Sequence, residues 1–276
     1  MKQFYNWSGW LIGIFIVLSA FGVQASEDID IKELVEVESR PGVEQKFILL
    51  APKNPVASAI LIGGGPGNYG MYESFGKPTI KNDGNFLVRT RKDFAKEGLA
   101  VAVIDICSDL KKSKKGMTVA WRMGDKHLRD IQAVAVHLKK KFGVPVWVVG
   151  TSRGTWSTIN AAINLNDYLH GFVVTSSITQ RPKAKSFKHG ILDMSLDQVI
   201  LPALIVAHKN DKCFFSPPNN SDLIKTKLTN SPRVEVKFFS GGKHPKTKAC
   251  KPLSQHGFYG IEKEVVEYIS QFIMSN

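Results

Sequence analysis

Short apolar runs recur along the chain, bounded by glycine, proline or polar residues. Most of them are apolar at consecutive positions, which is typical of strands buried on both faces of a parallel sheet. The pattern predicts strands over 46–50, 57–62, 99–106, 146–149, 172–175, 203–207 and 234–239.

Longer segments between these runs carry apolar residues three and four positions apart, the spacing of a helix with one buried stripe. This spacing predicts helices over 125–142, 153–165 and 261–272. Strands that alternate with helices favour a mostly parallel sheet of about eight strands with helices on both faces, which is an α/β fold.

The chain has 276 residues, of which 43% are hydrophobic, so it can bury one sizeable core. No linker, repeat or low-complexity segment divides it. The segment that follows Ser26 is interpreted as a polar opening of the mature chain. The connection 176–200 is interpreted as a small lid, because it is too short to form a large cap domain.

The first 25 residues differ from the rest. Lys2 precedes an apolar run over 10–22, and Val23, Gln24 and Ala25 provide small residues at the positions of a cleavage site. This pattern predicts a signal peptide over 1–25, cut after Ala25, because the run is shorter than the roughly 20 residues of a membrane span. An uncleaved membrane anchor is the alternative. The mature domain, 26–276, is therefore expected to be secreted or periplasmic.

Export changes how the three cysteines are interpreted, because disulfides persist in oxidising compartments. Cys213 and Cys250 both lie in loops that follow strands, so we predict a disulfide between them, with two unpaired thiols as the alternative. Cys107 ends an apolar run and is predicted to be a buried free thiol. No histidine or cysteine spacing predicts a metal site, and no cofactor is implied.

The formal net charge of +13 is strongly basic. An exported protein meets little nucleic acid, so we expect no nucleic-acid partner. An anionic envelope surface or an acidic substrate fits the charge better. Lysines cluster at 111–115 and 139–141. A solvated basic surface without a partner is the simpler explanation of each cluster.

The strand over 146–149 is followed by Gly150-Thr151-Ser152-Arg153-Gly154, a Gly-x-Ser-x-Gly sequence in front of a predicted helix. In a nucleophile elbow, a serine on a tight strand-to-helix turn projects its oxygen above the sheet, and the flanking glycines relieve crowding. Ser152 is therefore the candidate nucleophile.

A serine nucleophile needs a histidine base and an acid that orients the histidine. Asp211 follows the strand over 203–207 and is the candidate acid. Two histidines follow the last strand. We favour His256, which lies before the final helix, and keep His244 as the alternative base. A bridge between Cys213 and Cys250 would fasten the loop of Asp211 to the loop of His256.

Acyl transfer also needs hydrogen-bond donors where negative charge develops on the carbonyl oxygen. The glycine-rich turn over 63–67 directly follows a strand, and we assign the first donor to the backbone N–H of Gly65. The second is the N–H of Arg153, the residue after the nucleophile. A phosphate-binding loop is disfavoured, because the turn lacks the lysine and the hydroxyl residue that such a loop carries after its last glycine.

The order of glycine-rich turn, Gly-x-Ser-x-Gly, aspartate and histidine resembles the α/β-hydrolase superfamily over nearly the whole mature chain. The turn is similar to the His-Gly-Gly-Pro-Gly turn of some members, with Gly63 in place of their histidine, which weakens assignment to a peptidase subgroup. His256-Gly257-Phe258 resembles the esterase and dienelactone-hydrolase-like branches.

The resemblance implies hydrolysis of a small acyl substrate through a covalent acyl-enzyme. Esters are the preferred substrates, and a peptide or a thioester would use the same chemistry. A non-catalytic binding protein of the cell envelope on this scaffold is the second hypothesis, motivated by the basic surface.

Overall fold

The computed structural model describes Met1 and residues 28–276. Apart from Met1, the predicted signal peptide lies outside the described residues. The described chain contains these strands: β1 (Ile31–Arg40), β2 (Val43–Ala51), β3 (Ala57–Ile62), β4 (Met71–Ser74), β5 (Lys77–Ile80), β6 (Leu99–Ile104), β7 (Val146–Thr151), β8 (Gly171–Thr175), β9 (Ala203–His208) and β10 (Val234–Phe239).

Eight of these strands form the central sheet, in the order β1-β2-β6-β3-β7-β8-β9-β10. The pairs β1 with β2 and β2 with β6 are antiparallel, and all other neighbours are parallel. The remaining two strands, β4 and β5, form a separate antiparallel hairpin. The predicted sheet, mostly parallel and with about eight strands, is therefore confirmed.

The helices pack on both faces of this sheet. They are α1 (Phe86–Arg89), α2 (Arg91–Lys96), α3 (Val119–Arg122), α4 (Asp125–Phe142), α5 (Gly154–Asn164), α6 (Ser221–Lys227) and α7 (Glu262–Met274). Apolar residues of α4, α5 and α6 belong to the core on one face, and those of α1, α2 and α7 belong to the core on the other. None of the helices in the described chain combines the length and the hydropathy that crossing a membrane requires.

Strand β3 shows why the predicted strands are apolar at nearly every position, with the buried Ser58 as the exception in β3. Ile60 and Ile62 pack into the core beneath α4 and α5, whereas Ala59 and Leu61 pack into the core beneath α2 and α7. Because successive side chains point to opposite faces, a strand covered on both sides must be apolar throughout.

Strand β1 is the main departure from the predicted elements. The segment after Ser26 is not an irregular polar opening, because Ile31–Arg40 pairs along β2 at the edge of the sheet. Its exposed positions are polar, since an edge strand is only partly covered. The connection 176–200 contains only the short 3₁₀ turns Gly190–Asp193 and Leu196–Gln198, so the described residues include no large cap at this position.

Candidate active site

Ser152 lies in the turn between β7 and α5, with a backbone φ of +51° that is unusual for a residue with a side chain. Its N–H donates to the carbonyl of Thr175 at 3.0 Å. A Cβ at Gly150 would lie 2.1 Å from Thr158 Oγ1, and a Cβ at Gly154 would lie 2.1 Å from a backbone oxygen of β3. Both flanking glycines are therefore required by close packing, as in a nucleophile elbow.

The Ser152 hydroxyl contacts His256, and His256 in turn contacts Asp211. The distance from Ser152 Oγ to His256 Nε2 is 2.9 Å, and that from His256 Nδ1 to Asp211 Oδ2 is 2.8 Å. The carboxylate accepts from Nδ1–H, so Nε2 is left as the acceptor for the serine hydroxyl. The structure thus brings the three predicted residues together in the order that nucleophilic catalysis needs.

Two further groups hold the Asp211 carboxylate. Oδ1 accepts from the backbone N–H of Cys213 at 2.8 Å, and Oδ2 accepts from the Ser216 hydroxyl at 3.0 Å. Ser216 Oγ also lies 3.0 Å from His256 Nδ1, where the aspartate and the histidine meet. The sequence prediction missed Ser216, although its position five residues after the acid, within the same loop, was a usable indication.

The backbone of His256 is fixed from both sides. The Ser176 hydroxyl donates to the carbonyl of His256 at 2.8 Å, and the His256 N–H donates to Ser254 Oγ at 3.3 Å. A Cβ at Gly257 would lie 2.0 Å from the carbonyl oxygen of Pro252, so the turn after the histidine needs a glycine. This packing aims the imidazole at the nucleophile.

His244, the alternative base, is exposed in the loop that follows β10. It lines a separate cavity on the outer side of Asp211, together with Lys209 and Pro245. The structure does not bring it to Ser152, and His256 occupies the position between the serine and the acid.

Cys213 and Cys250 form a disulfide, with their Cα atoms 4.6 Å apart. The bridge joins the loop of Asp211 to the loop of His256, as expected from the sequence. Cys107 is a buried free thiol, and burial raises its pKa above the usual range. It lies outside the site and is not positioned as a nucleophile.

The glycine-rich turn also lies against Ser152. A Cβ at Gly64 would lie 2.8 Å from the Cβ of Ser152, so Gly64, which the sequence prediction did not single out, is the glycine in closest contact with the nucleophile. Gly65 follows with a φ of +61°. In the described part of the chain, the N–H groups of Gly64, Gly65 and Arg153 donate to no protein acceptor.

Side chains behind the turn hold it in place. The Asp105 carboxylate accepts from the N–H groups of Tyr69 and Met71, each at 2.8 Å. The Tyr69 hydroxyl donates to the carbonyl of Gly64 at 3.0 Å, and burial raises the pKa of this hydroxyl above its usual range. Neither residue was predicted, because the contact of Tyr69 with the turn and the contacts of Asp105 with Tyr69 and Met71 depend on the tertiary structure.

A cavity of about 350 Å³ opens above Ser152. It is lined by residues that include Gly64, Gly65, Asn85, Phe86, Pro252 and His256. This volume suits a small substrate group. Within the residues that the structure describes, no three side chains of histidine, cysteine, aspartate or glutamate gather as a metal site.

Comparison with known proteins finds similarity at the level of the fold. No family model and no curated protein matches the sequence. An esterase of Pyrococcus furiosus superposes with a TM-score of 0.59 at 14% identity, covering 89% of this chain and 92% of its own. The dienelactone hydrolase of Anabaena variabilis gives a TM-score of 0.60 at 14% identity, covering 89% and 97% of the two chains.

A peptidase shares the same architecture. The acylaminoacyl peptidase of Pyrococcus horikoshii matches 89% of this chain with 42% of its own, with a TM-score of 0.59 and 14% identity. Sequence identities this low identify an architecture and leave the reaction open. The eight-stranded sheet, its strand order and these superpositions together show that the chain has the α/β-hydrolase fold.

Proposed function

We propose that the protein is a serine hydrolase that cleaves a carboxylic ester through an acyl-enzyme. The continuous contact from Ser152 Oγ through the His256 imidazole to the Asp211 carboxylate supports this most strongly. It supplies a nucleophile, a base and an orienting acid at the floor of a cavity.

In the acylation step, Ser152 Oγ attacks the ester carbonyl carbon and its proton passes to His256 Nε2. The carbonyl π electrons move onto the oxygen, which becomes an anion next to the unpaired N–H groups of Gly64, Gly65 and Arg153. When the tetrahedral intermediate collapses, the ester C–O bond breaks and His256 protonates the departing alcohol.

Deacylation repeats these transfers with water as the nucleophile. His256 takes a proton from the water as the water oxygen attacks the acyl carbon. The bond between that carbon and Ser152 Oγ then breaks, the carboxylic acid leaves, and the protonated imidazole returns the proton to Ser152 Oγ. Asp211 stays ionised throughout and stabilises the imidazolium that forms in each step. Ser216 and the Cys213 N–H hold the carboxylate in the orientation that selects this tautomer.

The ester is the proposed substrate, and a panel of substrates tests this choice. We expect turnover of short aryl esters that exceeds turnover of matched thioesters and aminoacyl amides, with Ser152→Ala reducing every activity to background. The exposed, distant Ser195→Ala variant is the matched control and should retain full activity. Preferential turnover of an amide would move the assignment to a peptidase. A folded wild-type protein without turnover on any member would favour the binding-protein hypothesis.

We also propose that the protein is exported and acts in the periplasm or outside the cell. The disulfide between Cys213 and Cys250 supports this, because such bridges persist in oxidising compartments. Determining the mass of the mature protein tests the idea: we expect an N-terminus at Ser26, and a mass that includes residues 1–25 would contradict cleavage.

An anionic partner is proposed on the basis of the lysines near the cavity. Lys251 lines the cavity wall, and Lys246 and Lys248 line the adjoining groove. We expect faster turnover of an aryl ester with a ring carboxylate than of the neutral ester, and a loss of that advantage in 0.5–1 M salt or in Lys251→Ala, since salt screens charges. The exposed Lys263→Ala on α7 is the control. Equal turnover of the two esters would remove the proposal.

A further inference from the structure

Arg122 is a buried cation that the proposed mechanism has not yet used. It is the last residue of the short helix α3, and its side chain is completely buried. Arginine is rarely buried without a carboxylate partner, because the desolvation of its charge is otherwise unopposed. In the described part of the chain, Arg122 forms no ion pair.

All its hydrogen-bond partners are neutral. Nη1 donates to Ser157 Oγ at 3.0 Å, and Nη2 lies 3.3 Å from the carbonyl oxygens of both Gly63 and Gly65. Ser157 in turn contacts His127 Nε2 at 2.9 Å. Burial lowers the pKa of His127 to about 3, so this histidine is neutral at physiological pH.

The guanidinium is still charged at neutral pH. Burial lowers the pKa of Arg122 to about 10, well above physiological pH. Its Nε finds no acceptor in the described chain. Among the described residues, this positive charge therefore has no carboxylate in ion-pair contact, and it lies against the turn that contacts Ser152.

The acceptors of Arg122 and Tyr69 determine which way the turn presents its donors. In a trans peptide, the C=O of one residue and the N–H of the next point in opposite directions. Because Arg122 donates to the Gly63 carbonyl, the Gly64 N–H points away from Arg122. Because the Tyr69 hydroxyl donates to the Gly64 carbonyl, the Gly65 N–H points away from Tyr69.

These N–H groups therefore point away from the side chains that hold their peptides, and Gly64 itself lies against Ser152. The third carbonyl, that of Gly65, precedes Pro66, which has no N–H, so holding it orients the turn without presenting a further donor. Donation to a carbonyl also polarises its peptide and strengthens the N–H on the other side.

We propose that Arg122, together with Tyr69, positions the oxyanion donors of Gly64 and Gly65, and that the counter-charge of Arg122 is the oxyanion formed during acyl transfer. This inference rests on the proposed hydrolase function. It assigns Arg122 the role of a positioning residue with a long-range electrostatic effect, since the peptide groups of the turn separate it from the substrate. The interaction is strongest in the transition state, where the oxyanion carries its charge.

Two substitutions of Arg122 test its positive charge and the planar shape of its guanidinium. Arg122→Gln removes the charge and leaves one shorter amide donor, whereas Arg122→Lys keeps the charge and loses the planar fork. With a neutral aryl ester, we expect Arg122→Gln to lower kcat by about 10²-fold with KM within about twofold, the size of effect seen for an oxyanion donor. Arg122→Lys should recover activity to within about tenfold of the wild type.

The affinity for a trifluoromethyl ketone provides the second measurement. The ketone forms a tetrahedral oxyanion on the serine, so its inhibition constant should weaken in Arg122→Gln by the same factor as kcat. A purely structural role for Arg122 would not produce this match. A folded Arg122→Gln protein with wild-type kcat, or with lower kcat and unchanged ketone affinity, would overturn the proposal.

Tyr69→Phe keeps the proposal falsifiable if the Arg122 variants do not fold. It deletes the hydroxyl that donates to the Gly64 carbonyl, and we expect about a tenfold fall in kcat and in ketone affinity without a change in KM. A folded Tyr69→Phe protein with wild-type values would overturn the positioning role. If the wild-type protein hydrolyses no ester and Ser152 does not react, the proposed function itself fails, which is a distinguishable outcome.

Discussion

The two sides of Ser152 are held in place by different means. On one side, the carbonyls of the glycine turn 63–67 accept hydrogen bonds from the buried side chains of Arg122 and Tyr69. On the other side, the loops that carry Asp211 and His256 are joined by the disulfide between Cys213 and Cys250.

The difference follows from where each side lies. The glycine turn leaves β3 in the middle of the sheet, so core side chains can reach its carbonyls from behind. The loop before His256 lies near the edge strand β10, and residues 240–251 are mostly exposed. A loop with so little core contact gains order from a covalent link, whereas a central turn can rely on buried polar contacts.

Replacing the Asp211 carboxylate by a neutral amide should cause the largest loss of kcat. In Asp211→Asn, the amide cannot stabilise the imidazolium and favours the wrong tautomer of His256, so we expect kcat to fall by about 10⁴-fold. Steady-state kinetics with an aryl ester measure this, and the exposed Asp222→Asn on α6 is the control. A loss of less than tenfold would remove Asp211 from the mechanism.

Adding a side chain at Gly64, which lies against the nucleophile, should cause the next largest loss of kcat. A Cβ at Gly64 would lie 2.8 Å from Ser152 Cβ and 3.1 Å from the Thr151 carbonyl, so Gly64→Ala must displace the turn. We expect kcat to fall by about 10²- to 10³-fold, as when an oxyanion donor is lost. Gly42→Asn, in the open hairpin between β1 and β2, is the control. Wild-type kinetics for Gly64→Ala would contradict the close approach.

Breaking the disulfide should affect stability more than turnover. Replacing Cys213 and Cys250 by serine removes a link across 37 residues, and we expect the free energy of unfolding in urea to fall by about 2–5 kcal/mol. The Cys213 N–H still holds Asp211, and Ser176 still holds His256, so kcat should fall by less than about tenfold. Cys107→Ser is the control, because it removes the free thiol and leaves the disulfide intact. A loss of activity as large as that of Asp211→Asn would show that the bridge itself sets the catalytic geometry.

The stability of the buried cluster around Arg122 should depend on pH, because Ser157, which accepts from Arg122, also contacts His127. The folded-state pKa of His127 is about 3, below the ordinary value of 6.5. Between these values the unfolded chain binds a proton that the folded chain does not, so the free energy of unfolding falls as the pH falls from about 6.5 towards 3. We expect His127→Gln to flatten this dependence in urea titrations, with the exposed His189→Gln as control. An unchanged slope would show that His127 does not titrate as described.

The comparison also explains what the sequence could predict. Ser152, Asp211 and His256 each directly follow a strand or precede a helix, so their chain order alone indicated that they would meet at one edge of a parallel sheet. The pairing of Cys213 with Cys250 followed from the same placement. The three predicted helices and the strands of the central sheet other than β1 also match the structure within a few residues.

Contacts that bring distant segments together were not predictable in this way. Arg122 reaches Gly63 across 59 positions in the chain, and nothing in the Val119–Arg122 helix indicates a turn as its partner. The sequence did not indicate that Gly64, and not the predicted Gly65, lies nearest to Ser152. That contact depends on how β3 pairs with β7. Strand β1 was missed because its exposed positions are polar.

Labelling with a fluorophosphonate probe tests the central claim most directly, because the probe forms a covalent bond only with an activated serine. We expect intact-mass analysis to show one adduct per molecule and peptide mapping to locate it on Ser152. Ser152→Ala should remain unlabelled, and His256→Ala should label far more slowly. A folded wild-type protein that stays unlabelled, or a Ser152→Ala protein that labels equally well, would contradict the account.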